Sequence, residues 1–89
     1  MVSSNSLRKD IGDFLRESRK DKSLSASQLG NLVRLSQQQI SRYERGVTII
    51  NIEMLDLFLT KLDKSWSEFF FSVMANHSSE IKRAKLKLY

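Results

Sequence analysis

The sequence predicts an all-α fold of five helices followed by a basic tail. Three observations predict it. Apolar residues recur at helical spacing along most of the 89-residue chain. There is no Pro and there are only three Gly, too few for the many tight turns of an all-β domain. Ser or Asn stands at the head of four of the periodic segments, where a helix takes its N-cap. A chain of this length makes one domain with one small core.

Helix 1 is expected from about Ser6 to Lys22, with Leu7, Ile11, Phe14 and Leu15 as its apolar stripe and Arg8, Arg16 and Lys20 solvated. Ser25 caps a second helix from about Ala26 to Val33, with Leu29, Leu32 and Val33 toward the core. After a short turn at Arg34-Leu35, Ser36 caps a third helix that ends near Arg45, with Gly46 as the left-handed C′ residue. Val47-Thr48-Ile49-Ile50 is β-branched and apolar; with no second strand to pair with, it is expected to be a buried loop. Asn51 caps helix 4, where Ile52, Leu55, Leu59 and Leu62 share a face that Met54, Leu57 and Phe58 broaden. Ser65 caps helix 5, with Trp66, Phe69, Phe70 and Val73 on one face and Phe71 pointing away from it. The domain is expected over residues 1–75. Residues 76–89 form a basic tail that is compatible with a helix, an added strand or a frayed arm.

The net charge of +5 is uneven. Residues 1–46 carry nine Lys/Arg against five Asp/Glu, residues 47–79 two against four, and residues 80–89 four against one. A basic N-terminal half suits a polyanionic partner. The absence of Cys excludes disulfides and thiolate metal sites, and the single His77 has no companions for a metal site. No catalytic triad, Gly-rich phosphate loop or pair of acids at useful spacing is recognisable, so no enzyme, no cofactor and no small-molecule ligand is expected. The N-terminal Met-Val-Ser-Ser-Asn-Ser lacks an apolar signal-peptide stretch, and no apolar run approaches the roughly 20 residues that span a bilayer. The chain is accordingly expected to be cytoplasmic, without a membrane partner.

The segment Ser36 to Glu44, Ser-Gln-Gln-Gln-Ile-Ser-Arg-Tyr-Glu, carries the functional signal. Wound as a helix, it turns Gln37, Gln38, Ser41, Arg42 and Arg45 to one side and Ile40 and Tyr43 to the other, with Glu44 at the edge. Gln presents a donor and an acceptor together, matching the N6/N7 edge of adenine. Arg presents two parallel donors that suit guanine O6/N7 or a phosphate. Taken alone, the segment is more readily a solvated polar face. Its place as the second helix of a helix-turn-helix favours reading of a DNA major groove.

From Ile11 to Phe70 the sequence resembles the Cro/CI-type (XRE-like) DNA-binding domain. The resemblance rests on Leu15-Arg16-Glu17-Ser18-Arg19, Leu24-Ser25, Leu29-Gly30, Ser36, Ile40-Ser41, Tyr43-Glu44, Gly46, Leu55 through Leu62, and Ser65 through Phe70. It implies a five-helix lambda-repressor-like fold and a double-stranded DNA partner read through a pseudo-palindromic site by a homodimer. Gln37 and Gln38 would read base edges, Ser41 would lie near the groove floor, Arg42 would reach a base or a phosphate, and Arg45 would hold phosphate. Arg19 and Glu44 match the family's ion pair between helices 1 and 3. Ser36 through Glu44 is also similar to the signature of MrpJ-like regulators, which control fimbrial genes and repress motility genes. Two departures stand out. Ala26 replaces a Gln that often contacts phosphate, leaving Ser25, Ser27 or Gln28 to supply that contact. Arg34 replaces a common turn Gly; a positive φ there would strain it by about 1 kcal/mol, with a phosphate contact as compensation.

Phe71, Met54 and Leu57 are the expected dimer contacts, and helix 5 with the tail the expected interface. Control would then come from the amount of protein made. Two other function classes remain open. One is an antitoxin or protein-interaction module using helix 4, Phe71 and the tail. The other is a charge-driven, nonspecific nucleic-acid binder.

Overall fold

The computed structural model describes residues 4–76. Five helices follow one another: α1 Ser4–Asp21, α2 Ala26–Val33, α3 Gln37–Glu44, α4 Ile52–Lys61 and α5 Trp66–Asn76. No strand occurs among the described residues. The basic tail, His77 and the expected arm lie outside the described residues.

The four helices α2 to α5 each start where a side chain can close the first turn. Ser25 accepts from the Gln28 N–H at 3.0 Å while Gln28 Oε1 accepts from the Ser25 N–H at 2.8 Å. Ser36 and Gln39 repeat the exchange at 3.1 and 3.2 Å, and Ser65 and Glu68 repeat it at 3.0 and 3.2 Å. These are capping boxes, each satisfying two backbone donors that the helix itself cannot. Asn51 Oδ1 caps α4 by accepting from the Met54 N–H at 2.7 Å.

The first four helices end in a common way. An N–H reaches back five residues to a carbonyl: Leu24 to Arg19, Leu35 to Gly30, Val47 to Arg42 and Lys64 to Leu59. The residue before each donor is left-handed: Ser23 at φ 55°, Arg34 at 61°, Gly46 at 72° and Asp63 at 56°. This 6→1 closure stops each helix within two residues of its last helical residue. Only Gly46 adopts it without a Cβ penalty. The left-handed turn considered for Arg34 is therefore present.

The core is made where the helices cross. Leu15, Leu29, Ile40, Phe58, Leu59 and Leu62 are essentially inaccessible. α3 packs against both α1 and α2, α2 also against α4, and α5 against α1. Edge-to-face rings join α1 to α5, Phe14 to Phe69 at 5.4 Å, and α3 to α4, Tyr43 to Phe58 at 5.8 Å.

Five expectations of burial fail, one of them Trp66, which is 41% exposed. Leu32 is 44% exposed, because α2 turns Leu29 and Val33 to its neighbours and leaves Leu32 at the rim. The Val47–Ile50 loop is not buried: Ile49 is 68% exposed and only Ile50 packs on the core. Ile52, in the first turn of α4, is exposed. Phe70 is 53% exposed, since α5 meets its neighbours through Phe69 and Val73, one turn apart, and Phe70 lies about 100° round from Phe69.

Candidate nucleic-acid interface

α3 is divided lengthwise. Ile40 and Glu44 are buried, Tyr43 is half-buried, and Gln37, Gln38, Arg42 and Arg45 are exposed. The capping box assigns different work to three successive glutamines. Gln39 folds back on Ser36. Gln37 and Gln38 are left with their amides outward. Ser36 is correspondingly committed as a cap, its Oγ accepting from the Gln39 N–H. Ser36, Gln37, Gln38, Ser41, Arg42 and Arg45 all line one open groove of about 540 Å³. From Gln37 to Arg45 the helix rises about 12 Å, comparable with the width of a B-DNA major groove.

Arg45 Nε donates to Ser41 Oγ at 3.2 Å, so the two side chains are held together along one edge. The Arg42 side chain makes no hydrogen bond or ion pair among the described residues. Arg34 and Gln28 do not line the groove. Arg34 sits in the turn ahead of α3, exposed. Gln28 has its amide oxygen engaged by the Ser25 N–H, which leaves only the NH₂ group free to reach a partner.

Two features fix α3 on the scaffold. Arg19 grips Glu44 through two parallel bonds, Nε to Oε2 at 2.7 Å and Nη2 to Oε1 at 2.9 Å, and Nη1 donates to the Leu24 carbonyl at 2.9 Å. Both side chains are largely buried, 12% and 6% exposed. Donation to the Glu44 carboxylate raises the Arg19 pKa above its usual value. The second feature is Gly12, to which the sequence reading assigned no role. A Cβ there would lie 2.4 Å from the Glu44 carbonyl oxygen and 2.6 Å from that of Tyr43. The backbone of α1 therefore touches the C-terminal turn of α3. No local signal marks Gly12; only the tertiary crossing requires it.

The expected dimer contacts are not gathered in one place. Phe71 is 73% exposed and shares an apolar patch with Trp66, Ser67 and Phe70. Met54 and Leu57 instead pack partly against the core. Trp66 is tied down by its Nε1–H donating to Asp56 Oδ1 at 2.9 Å. Among the described residues, no group of three or more His, Cys, Asp or Glu is placed to hold a metal ion, and no helix is long and apolar enough to cross a membrane.

A family model described as helix-turn-helix matches residues 15–69, which spans α2, α3 and α4 and the adjoining parts of α1 and α5. Two crystal structures of the clp gene regulator ClgR from Corynebacterium glutamicum are similar. One superposes with a TM-score of 0.76 at 25% identity over 91% of this chain and 86% of that one. The other gives 0.73 at 28% identity over 78% and 90%. Comparison with curated protein sequences returned no significant match.

Proposed function

The chain belongs to the helix-turn-helix family of DNA-binding transcriptional regulators, of the Cro/CI type, and on that premise we propose that it reads one specific pseudo-palindromic site as a homodimer. The observation that carries this reading is the outward Gln37/Gln38/Ser41/Arg42 face of a capped helix, with Ser41 half-buried and the other three exposed, held by the buried Arg19–Glu44 pair. Gln37 and Gln38 contact base edges at the start of α3, Ser41 lies near the groove floor, and Arg42 reaches a base or a phosphate one turn on. Arg45 and Arg34 hold phosphate. No Lys or Arg stands in the loop from Gly46 to Asn51, so affinity per protomer is modest.

Two recognition helices about 34 Å apart meet successive major grooves on one face of the duplex. Bound there, the protein acts by occluding or competing for a promoter, in the cytoplasm at the nucleoid. The Ser36–Glu44 string favours fimbrial and motility genes as targets, through its similarity to MrpJ-like regulators. Genome-wide occupancy in the native host, for wild type and Gln37→Ala/Gln38→Ala, tests the reading. Discrete peaks with a shared pseudo-palindrome, lost in the variant, support it. Diffuse occupancy that the variant leaves unchanged overturns it.

A second reading is an antitoxin or protein-interaction module of the same fold. The exposed Trp66, Phe70 and Phe71 on α5 favour it, because an apolar patch there suits a protein partner. A toxin gene beside this one supports that reading, and a fimbrial cluster supports the first.

A further inference from the structure

We propose that Arg16, on α1, receives a backbone phosphate of the duplex that α3 reads, in a cleft between α1, α2 and the recognition helix; the inference rests on the sequence-reading function above. The cleft has a volume of about 370 Å³ and four cations on its walls: Lys9, Arg16 and Arg19 from α1, and Arg45 at the end of α3. Its one acidic wall residue, Glu44, is held by Arg19 through two hydrogen bonds. The cleft is continuous with the reading face. Gln37, Ser41 and Arg45, spaced four residues apart on α3, line both. An anion in the cleft therefore lies beside the bases that Gln37 would contact.

Three of the four cations already have partners. Lys9 is paired with Asp13, Arg19 with Glu44, and Arg45 Nε donates to Ser41. Arg16 is exposed, and its side chain makes no hydrogen bond or ion pair among the described residues. On the opposite wall stands Ala26, the first residue of α2. Its methyl group donates nothing, and the Gln28 side chain two residues on has its oxygen committed to the Ser25 cap. The first-turn N–H groups of α2 lack intrahelical acceptors and carry the positive end of the helix dipole. They favour an anion at that wall but bring no full charge. Arg16 supplies the charge, with the two-pronged donor geometry that phosphate oxygens accept.

The test uses the full chain and two probes: a duplex enriched by the wild-type protein from a random-sequence library, and a scrambled duplex of the same base composition. Affinity is measured from 50 to 200 mM salt for wild type, Arg16→Ala, Arg16→Lys and Lys20→Ala. Each neutralised phosphate contributes about −0.9 to the slope of log affinity against log salt. Arg16→Ala is expected to flatten the slope by about that amount, so its penalty shrinks about 3.5-fold across the range. It should weaken both probes alike, leave the melting temperature unchanged, and be largely rescued by Arg16→Lys. Lys20, exposed on α1 but outside the cleft, should leave the slope unchanged when replaced. An unaltered slope for Arg16→Ala overturns the inference while the parent reading stands, and so does an equal loss in Lys20→Ala. Wild-type protein that enriches no duplex overturns both.

Discussion

In the proposed reading, single residues either hold the recognition helix or read with it, and the two kinds should separate under mutation. Arg19 and Glu44 belong to the first kind. Replacing Arg19 by Ala leaves a buried carboxylate without its partner, which costs about 3–5 kcal/mol. In a domain of this size that is a fall in melting temperature of about 15 °C or more. Replacing both partners with apolar residues of similar volume should be far milder, because no lone charge remains buried. Thermal denaturation of the single and double variants checks both outcomes. Arg42 belongs to the second kind. It is exposed and unpaired, so Arg42→Ala should leave the melting temperature unchanged while costing about 1–3 kcal/mol of binding if the contact is bidentate to a base. A loss confined to the enriched duplex indicates a base contact, and an equal loss on scrambled DNA indicates phosphate. Arg34 should show opposed effects. Its φ of 61° costs an L-residue about 1 kcal/mol, so Arg34→Gly should stabilise the fold by up to about that amount. If Arg34 also holds phosphate, the same substitution weakens DNA binding. Stability and affinity measured on one variant separate the two.

At the scale of elements, the structure rests on helix ends as much as on apolar stripes. Helix starts are legible in the sequence because the signal is local: Ser25, Ser36 and Ser65 each stand three residues before a Gln or Glu that returns the bond. Helix ends are less legible, since three of the four left-handed closures use Ser23, Arg34 and Asp63 rather than Gly. What could not be read locally was how far each apolar face is covered. Phe70 and Ile49 look like core residues by type, yet their exposure depends on which neighbours α5 and the Val47–Ile50 loop meet. Gly12 was silent for the same reason. Its lack of a side chain matters only because the Tyr43 and Glu44 carbonyls cross it, at distances no Cβ tolerates. Gly12→Ala must push α1 away from the end of α3. A cost of about 1–3 kcal/mol is expected from such overpacking. Because α3 is displaced, loss of specific binding should exceed what the fall in stability explains, measured well below the melting temperature. The ends of α1 and α4 are joined by Lys22 with Asp63 and by Asp21 with Lys64. Lys22 holds the Asp63 carboxyl below the usual carboxylate range, so that contact is present above the usual range and is lost as pH falls through the lowered value. Both partners are well exposed, and solvent screening keeps the contribution small.

For the whole molecule the question is how one short reading face gains enough affinity to select a site. In the proposed reading α3 brings four side chains to the bases and few phosphate contacts, and a second copy is the economical remedy. A symmetric pair makes the second half-site contact intramolecular, raising affinity without any new type of contact. The apolar patch on α5 is the surface suited to that pairing. Phe71 is its most exposed member, Phe70 stands edge-to-face with it at 6.2 Å, and Trp66 is anchored beside them through Asp56. An anchored aromatic cluster binds with little further loss of side-chain freedom, which is what an interface centre requires. The chain should therefore be a dimer at micromolar concentration, and Phe71→Ser should weaken that dimer by about tenfold or more without lowering the melting temperature of the protomer. Binding to a single half-site should be unaffected by the substitution, while affinity for the full pseudo-palindrome falls toward the half-site value. Sedimentation showing an undiminished dimer for Phe71→Ser would remove this patch from the interface. A wild-type monomer that still prefers the full palindrome would place pairing on the DNA itself, with the two protomers meeting only when both half-sites are filled.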